Sequence, residues 1–185
     1  MRREKSPASM RVVLALLVAL SAVVLSSCGK YPPQSTTAPK GSAQSGRGGR
    51  ASSAAAPTQA QTREAADVAN LREMFNSRLK SGKMDDVIRV AEKLAKEYPR
   101  NAEAKYILAY SLQRVGQRQS EALELYDEAE ALGFSQYWVD YNRGLLYFTM
   151  GQKDKARQDL DRALALAPDP KLREGLQEFI KANLK

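Results

Sequence analysis

The chain has 185 residues, with 29 Lys/Arg against 21 Asp/Glu, no histidine and one cysteine, a length that suits one ordinary domain with residues to spare. With Cys28 alone and no histidine, an internal disulfide, a zinc site of the His/Cys kind and any triad needing a histidine base are excluded. The formal charge of +8 would suit nucleic acid only if it were concentrated on the folded part.

Residues 1–27 begin with Arg2, Arg3, Lys5 and Arg11 against Glu4, followed by an apolar stretch from Val12 to Leu25 interrupted only by Ser21. That stretch is about fourteen residues long, short of the ~20 that a spanning helix needs. A basic start, a short apolar run and small residues at its end make a secretory signal. Met10-Arg11 would itself serve as a start, an alternative to Met1.

The run closes on Leu25-Ser26-Ser27-Cys28, which resembles the lipobox of bacterial lipoprotein signal peptides. The resemblance implies cleavage between Ser27 and Cys28, a diacylglyceryl thioether on Cys28 and acylation of the freed amine. Each buried CH₂ contributes about 0.8 kcal/mol, so two or three chains hold a membrane far more firmly than one. The alternative is a secreted protein with a chance cysteine. Gly29, where an Asp would signal retention, is similar to outer-membrane sorting in enteric bacteria. The expected location is therefore the cell envelope, lipid-anchored and facing the periplasm.

Residues 28–62 are expected to form a disordered tether. They are rich in Ser, Ala, Gly, Pro, Gln and Thr, with Tyr31 as the sole aromatic and no Leu, Ile, Val or Phe. Nothing there can build a core that offsets chain entropy. A flexible segment of this length spans roughly 30–35 Å. Lys30, Lys40, Arg47 and Arg50 face no acid within it, and each would gain about 1 kcal/mol beside anionic headgroups; solubility is the simpler use of the same charges. The remaining 63–185 holds 21 Lys/Arg against 20 Asp/Glu. The basic excess belongs to signal and tether, so no nucleic-acid partner is expected.

From residue 63 the composition turns to Ala, Leu, Glu, Lys and Arg, with apolar residues at helical spacing. Ala122, Tyr126, Ala129 and Leu132 recur 34 residues later as Ala156, Leu160, Ala163 and Leu166. Gly116 recurs as Gly151 and Ala109 as Gly144 at a spacing of 35, which places one extra residue in Gln117-Arg118-Gln119-Ser120. An earlier copy runs through Gly82, Val87, Ala91, Leu94 and Pro99. These positions resemble the tetratricopeptide repeat, whose unit is a pair of antiparallel helices. The resemblance implies an all-α fold: an α-α superhelix of three hairpins at about 68–101, 102–136 and 137–170. The third copy matches best, and the first departs at Phe75, Arg78 and Val87. Small residues such as Ala109 and Gly144 let helix axes approach, while Leu108, Leu112, Tyr126, Tyr147 and Leu160 fill the gaps. A stack of hairpins needs an end cap. Residues 171–184 suit that role through the stripe Leu172, Leu176, Phe179 and Ile180, which would otherwise be a docking face for a second copy.

In this family the first helix of each hairpin lines a concave groove. Carried over, the groove positions are Arg72, Asn76 and Lys80, then Tyr106, Tyr110 and Arg114, then Trp138, Tyr141 and Phe148. Arg72 and Asn76 resemble the start of a clamp for a peptide's C-terminal carboxylate, but Ile107 and Trp138 break it. What remains is an aromatic floor with basic residues at one end, and aromatic and Arg side chains are favoured in binding hot spots. Tyr126 and Tyr147 are expected in the core.

These features predict a membrane-anchored adaptor for a protein or peptide partner, without cofactor and without catalysis. By analogy of family and location, pilus, secretion or outer-membrane assembly are the settings to consider. The alternatives are an enzyme or peptidoglycan-processing factor, and a lipoprotein that associates with itself. The carboxylates are expected on solvated faces, with Glu130 and Asp140 as surface charges.

Overall fold

The computed structural model describes residues 56–79, 81 and 83–184; the signal, Cys28, almost all of the tether, Lys80 and Gly82 lie outside them. The described residues form seven helices: α1 Gln59–Leu79, α2 Asp85–Glu97, α3 Ala102–Val115, α4 Gln119–Ala131, α5 Gln136–Thr149, α6 Lys153–Leu166 and α7 Pro170–Asn183. Pairs α1/α2, α3/α4 and α5/α6 pack as three successive hairpins, with α1 also on α3, α3 on α5 and α7 closing the end.

Helix boundaries follow from local chemistry. The Thr58 backbone N–H donates to Gln61 Oε1 at 2.9 Å, and Gln61 N–H donates back to Thr58 Oγ1 at 3.3 Å. This reciprocal pair is a capping box. It starts α1 at Gln59, four residues inside the stretch expected to be tether. Asn101 Oδ1 caps α3 at Ala104 N, and Asp169 Oδ1 caps α7 at Leu172 N with Pro170 in the first turn. Gly116 and Gly151 end the first helices of their hairpins with φ of 70° and 77°. In both turns the next residue donates back five positions, Gln117 N to Leu112 O and Gln152 N to Tyr147 O, a closure that depends on a left-handed residue. The extra residue of the second hairpin leaves Arg118 in that region too, at φ 49°, with its guanidinium held by Glu121 and Glu92.

Two apolar clusters form the interior. One joins α1 through α5 around Leu71, Phe75, Ile107, Leu112 and Tyr126. The other joins α5, α6 and α7 around Leu145, Leu160, Leu176 and Phe179, and Trp138 packs against both. Gly144 explains the close approach of α5 and α6: a Cβ there would stand 2.7 Å from Leu160 Cγ. Leu172, Leu176, Phe179 and Ile180 are buried, so α7 closes the end of the stack as expected of a cap. Tyr126 is fully enclosed, whereas Tyr147 is only partly buried and carries Lys155 over its ring at 5.2 Å.

Candidate functional site

Helices α1, α3 and α5 are the first members of their hairpins, so their shared face is the candidate groove. On α3, Tyr106, Tyr110 and Arg114 are spaced by four and stand one above another. On α5, Trp138 and Tyr141 sit in the first two turns. Tyr110, Arg114, Trp138 and Tyr141 are half-buried, and Asn76 is exposed.

The rings form a connected array. Phe75 and Tyr110 meet edge to face at 5.2 Å between centroids, and Trp138 meets Tyr141 the same way at 6.3 Å. Tyr137 lies beneath, edge-on to Trp138 at 4.9 Å and roughly parallel to Tyr141 at 6.1 Å. Burial, then the neighbouring Tyr110, pushes the Tyr141 hydroxyl up to about 12, and burial raises Tyr110 despite Arg114 beside it. These hydroxyls are therefore neutral hydrogen-bonding groups at any physiological pH.

Three expected groove residues have other tasks. Tyr106 is only 3% exposed, stacks on Phe134 at 4.1 Å, and its hydroxyl accepts from Asn142 Nδ2 at 2.8 Å. It is a packing residue that joins α3 to α5, enclosed by Phe134 and Asn142 where Tyr110 is left half-buried. Arg72 forms a two-pronged pair with Glu103, its Nη2 donating to Oε2 at 2.6 Å. That engagement removes it from a carboxylate clamp. Phe148 is edge-on to Phe179 of α7 at 5.2 Å, so the cap covers part of it. Lys80 lies outside the described residues.

The expectation that the carboxylates lie on solvated faces is corrected by a buried ionic cluster. Arg143 Nε donates to Asp159 Oδ2 at 2.7 Å, Nη1 donates to Glu130 Oε2 at 2.8 Å and to Asp127 Oδ1 at 2.5 Å, and Nη2 donates to Asp140 Oδ1 at 2.9 Å. Arg162 Nε also donates to Asp140, at 3.1 Å, and pairs with Asp159. Asp140 has no accessible surface, and Asp159 and Arg143 are nearly as enclosed. Burial opposes the charge on Arg143, but Asp159 and the other acids outweigh it and push its pKa up. Burial raises Asp140 against the pull of Arg162 and Arg143. The physical reason is the small residue at Gly144: where α5 and α6 touch, the polar side chains flanking the contact are enclosed with it. The cluster ties α4, α5 and α6 together and leaves these carboxylates engaged with arginines, away from the groove. Among the described residues no group of acids is arranged to hold a metal ion, and no helix is long and apolar enough to cross a membrane.

The sequence signals for this cluster were present but indirect. Asp159 is one residue before Leu160, the partner of Gly144, and Arg143 is one before Gly144. α4 carries five acids and no cation, an imbalance that neighbouring helices must offset; Lys105 and Arg143 do so from α3 and α5.

Residues 141–170 match a family model described as tetratricopeptide repeat. Residues 41–134 match one described as bacterial transcriptional activator domain. No curated protein matches by sequence. Among solved structures, the chain is similar to the type III secretion translocator chaperone SycD of Yersinia enterocolitica, at 18% identity and a TM-score of 0.55, over 62% of this chain and 81% of that one. It is also similar to the first tetratricopeptide-repeat domain of Spaghetti (RPAP3) bound to the HSP90 peptide SRMEEVD, at 24% identity and a TM-score of 0.53, over 63% of this chain and 93% of that one. At these identities the likeness is one of fold.

Proposed function

The chain belongs to the tetratricopeptide-repeat family, and over residues 41–134 to the bacterial transcriptional activator domain family, and on that premise we propose that it is a protein-binding adaptor held at a bacterial membrane by lipid on Cys28. The observation that carries the binding part is the half-buried array of Tyr110, Trp138 and Tyr141 on the face shared by α3 and α5. Rigid rings that are already packed lose little freedom on binding and offer large contact area. Of the two similar structures, one is a chaperone of translocators and the other a complex with a peptide, in keeping with a protein or peptide ligand here.

The anchor rests on the Leu25-Ser26-Ser27-Cys28 signature after a short apolar run. A tether of roughly 30–35 Å would let the stack meet partners away from the bilayer. The envelope setting, in pilus, secretion or outer-membrane assembly, rests on analogy of family and location. The near-neutral stretch 63–185 favours protein over nucleic acid, and the enclosure of Asp140 and Asp159 by arginines favours binding over catalysis.

Crosslinking in intact cells, followed by mass spectrometry of what copurifies, tests the adaptor reading. It is expected to recover a specific envelope protein, and recovery of lipid and the chain itself alone would overturn it. In the same cells, Cys28→Ala is expected to move the chain out of the membrane fraction; continued membrane retention would remove the lipid anchor from the account.

A further inference from the structure

We infer that Arg114 receives an acidic side chain from a partner segment running across Tyr110 and Tyr141, an inference that rests on the groove reading above. The arginines nearest this face or in the core are already neutralised. Arg72 has Glu103, Arg143 has four carboxylates, and Arg162 has Asp140 and Asp159. Arg114 makes no ion pair among the described residues, and its Nε is enclosed with no hydrogen-bond acceptor. Arg114 is half-buried, so a carboxylate arriving from solvent would pair with the part of its guanidinium that stays accessible, as a charge-assisted hydrogen bond.

Position gives the site its direction. Arg114 lies one turn beyond Tyr110 on the same side of α3, close enough for its charge to act on the Tyr110 hydroxyl. Tyr141 in turn feels the neighbouring Tyr110 across the gap between α3 and α5. A segment laid on these rings would pass Arg114 at one end of the array. A single guanidinium at that edge offers one charged contact and leaves the chain free to run on. The occupant is thus an internal Asp or Glu with apolar or aromatic neighbours, and the complementarity is one negative charge to Arg114, a cation with no ion pair among the described residues.

The test uses the full chain and an array of octapeptides, acetylated and amidated so that no terminal charge remains. Each carries one Glu or one Gln at a stepped position among Ala, Leu and Phe, and binding is read by fluorescence of Trp138, the sole tryptophan. Glu peptides are expected to bind roughly ten-fold or more tighter than their Gln counterparts at the favoured position, as a charge-assisted hydrogen bond would give. In Arg114→Gln, with melting unchanged, that ratio should fall to about one while the Leu and Phe preference persists. Equal binding of Glu and Gln peptides by the unaltered chain, or a ratio that survives in Arg114→Gln, would overturn the role of Arg114 and leave the groove standing. Binding of no peptide at all would count against the groove as well.

Discussion

Asp140 stands with no accessible surface between Arg143 and Arg162, and its Oδ2 accepts no hydrogen bond. Because burial raises its pKa in the fold, the folded chain holds this proton more tightly than the unfolded chain does. Its contribution to stability is therefore fully present below the ordinary carboxylate value and is lost as pH rises through the raised folded value. Asp140→Asn keeps an acceptor for the two arginines and removes the titration. The variant should lie within about 1 kcal/mol of the parent at neutral pH. Urea unfolding across roughly pH 4 to 7 should show a shallower loss of stability with rising pH in the variant than in the parent. At Gly144 the prediction is of opposite kind. An added Cβ would meet Leu160 Cγ at 2.7 Å and Asp159 Cβ at 3.1 Å, and Leu160 is itself fully buried. Overpacking costs about 1–3 kcal/mol and the gain in helix propensity offsets roughly 1, so Gly144→Ala should unfold at lower denaturant, being less stable by up to about 2 kcal/mol. A variant as stable as the parent would show that α5 and α6 can separate without loss.

The helical hairpins were legible in the residues because the 34-residue spacing of Ala122 with Ala156 and Ala129 with Ala163 marks helix contacts. The start of α1 was not. Thr58 and Gln61 form their reciprocal cap inside an Ala- and Gln-rich stretch, where composition resembles linker and the cap is a pattern of two residues. The polar ties along α1 were equally hidden: Glu64 accepts from Asn101, and Asp67 from the Tyr98 hydroxyl. Such pairs join residues more than thirty apart and depend on how the hairpins lie, which periodicity does not specify. The stripe on α7 was readable because four large apolar residues fall on one face. Ending the chain after Asp169 would uncover Leu145 and Phe148 and the α6 face that packs on α7. The shortened protein is expected to melt earlier and to self-associate by light scattering. A shortened chain that stayed monomeric and equally stable would show that α7 is not needed as a cap.

At the scale of the whole chain, charge and fold are separated. The excess of cations lies in residues 1–62, while 63–185 is nearly balanced and much of its charge is consumed in ties between helices. That economy leaves few polar groups for a partner and makes the aromatic face the chief feature of α3 and α5. Four expected groove residues, Tyr110, Arg114, Trp138 and Tyr141, do lie half-buried there. Tyr106 is buried, and Arg72 and Phe148, though half-buried as well, are engaged elsewhere, because each of the three meets a helix of the next repeat or of the cap, a relation that one repeat's sequence cannot express. The most direct test of the groove is the yield of a protein partner crosslinked in cells by the Trp138→Ala chain, with its melting measured in parallel. The indole is half-buried and packs on Tyr137 and Tyr141, so the change should cost about 1–3 kcal/mol of stability and leave the helical stack folded. The account predicts that the partner is lost from this folded variant. Recovery of the partner at the parent's yield would contradict it.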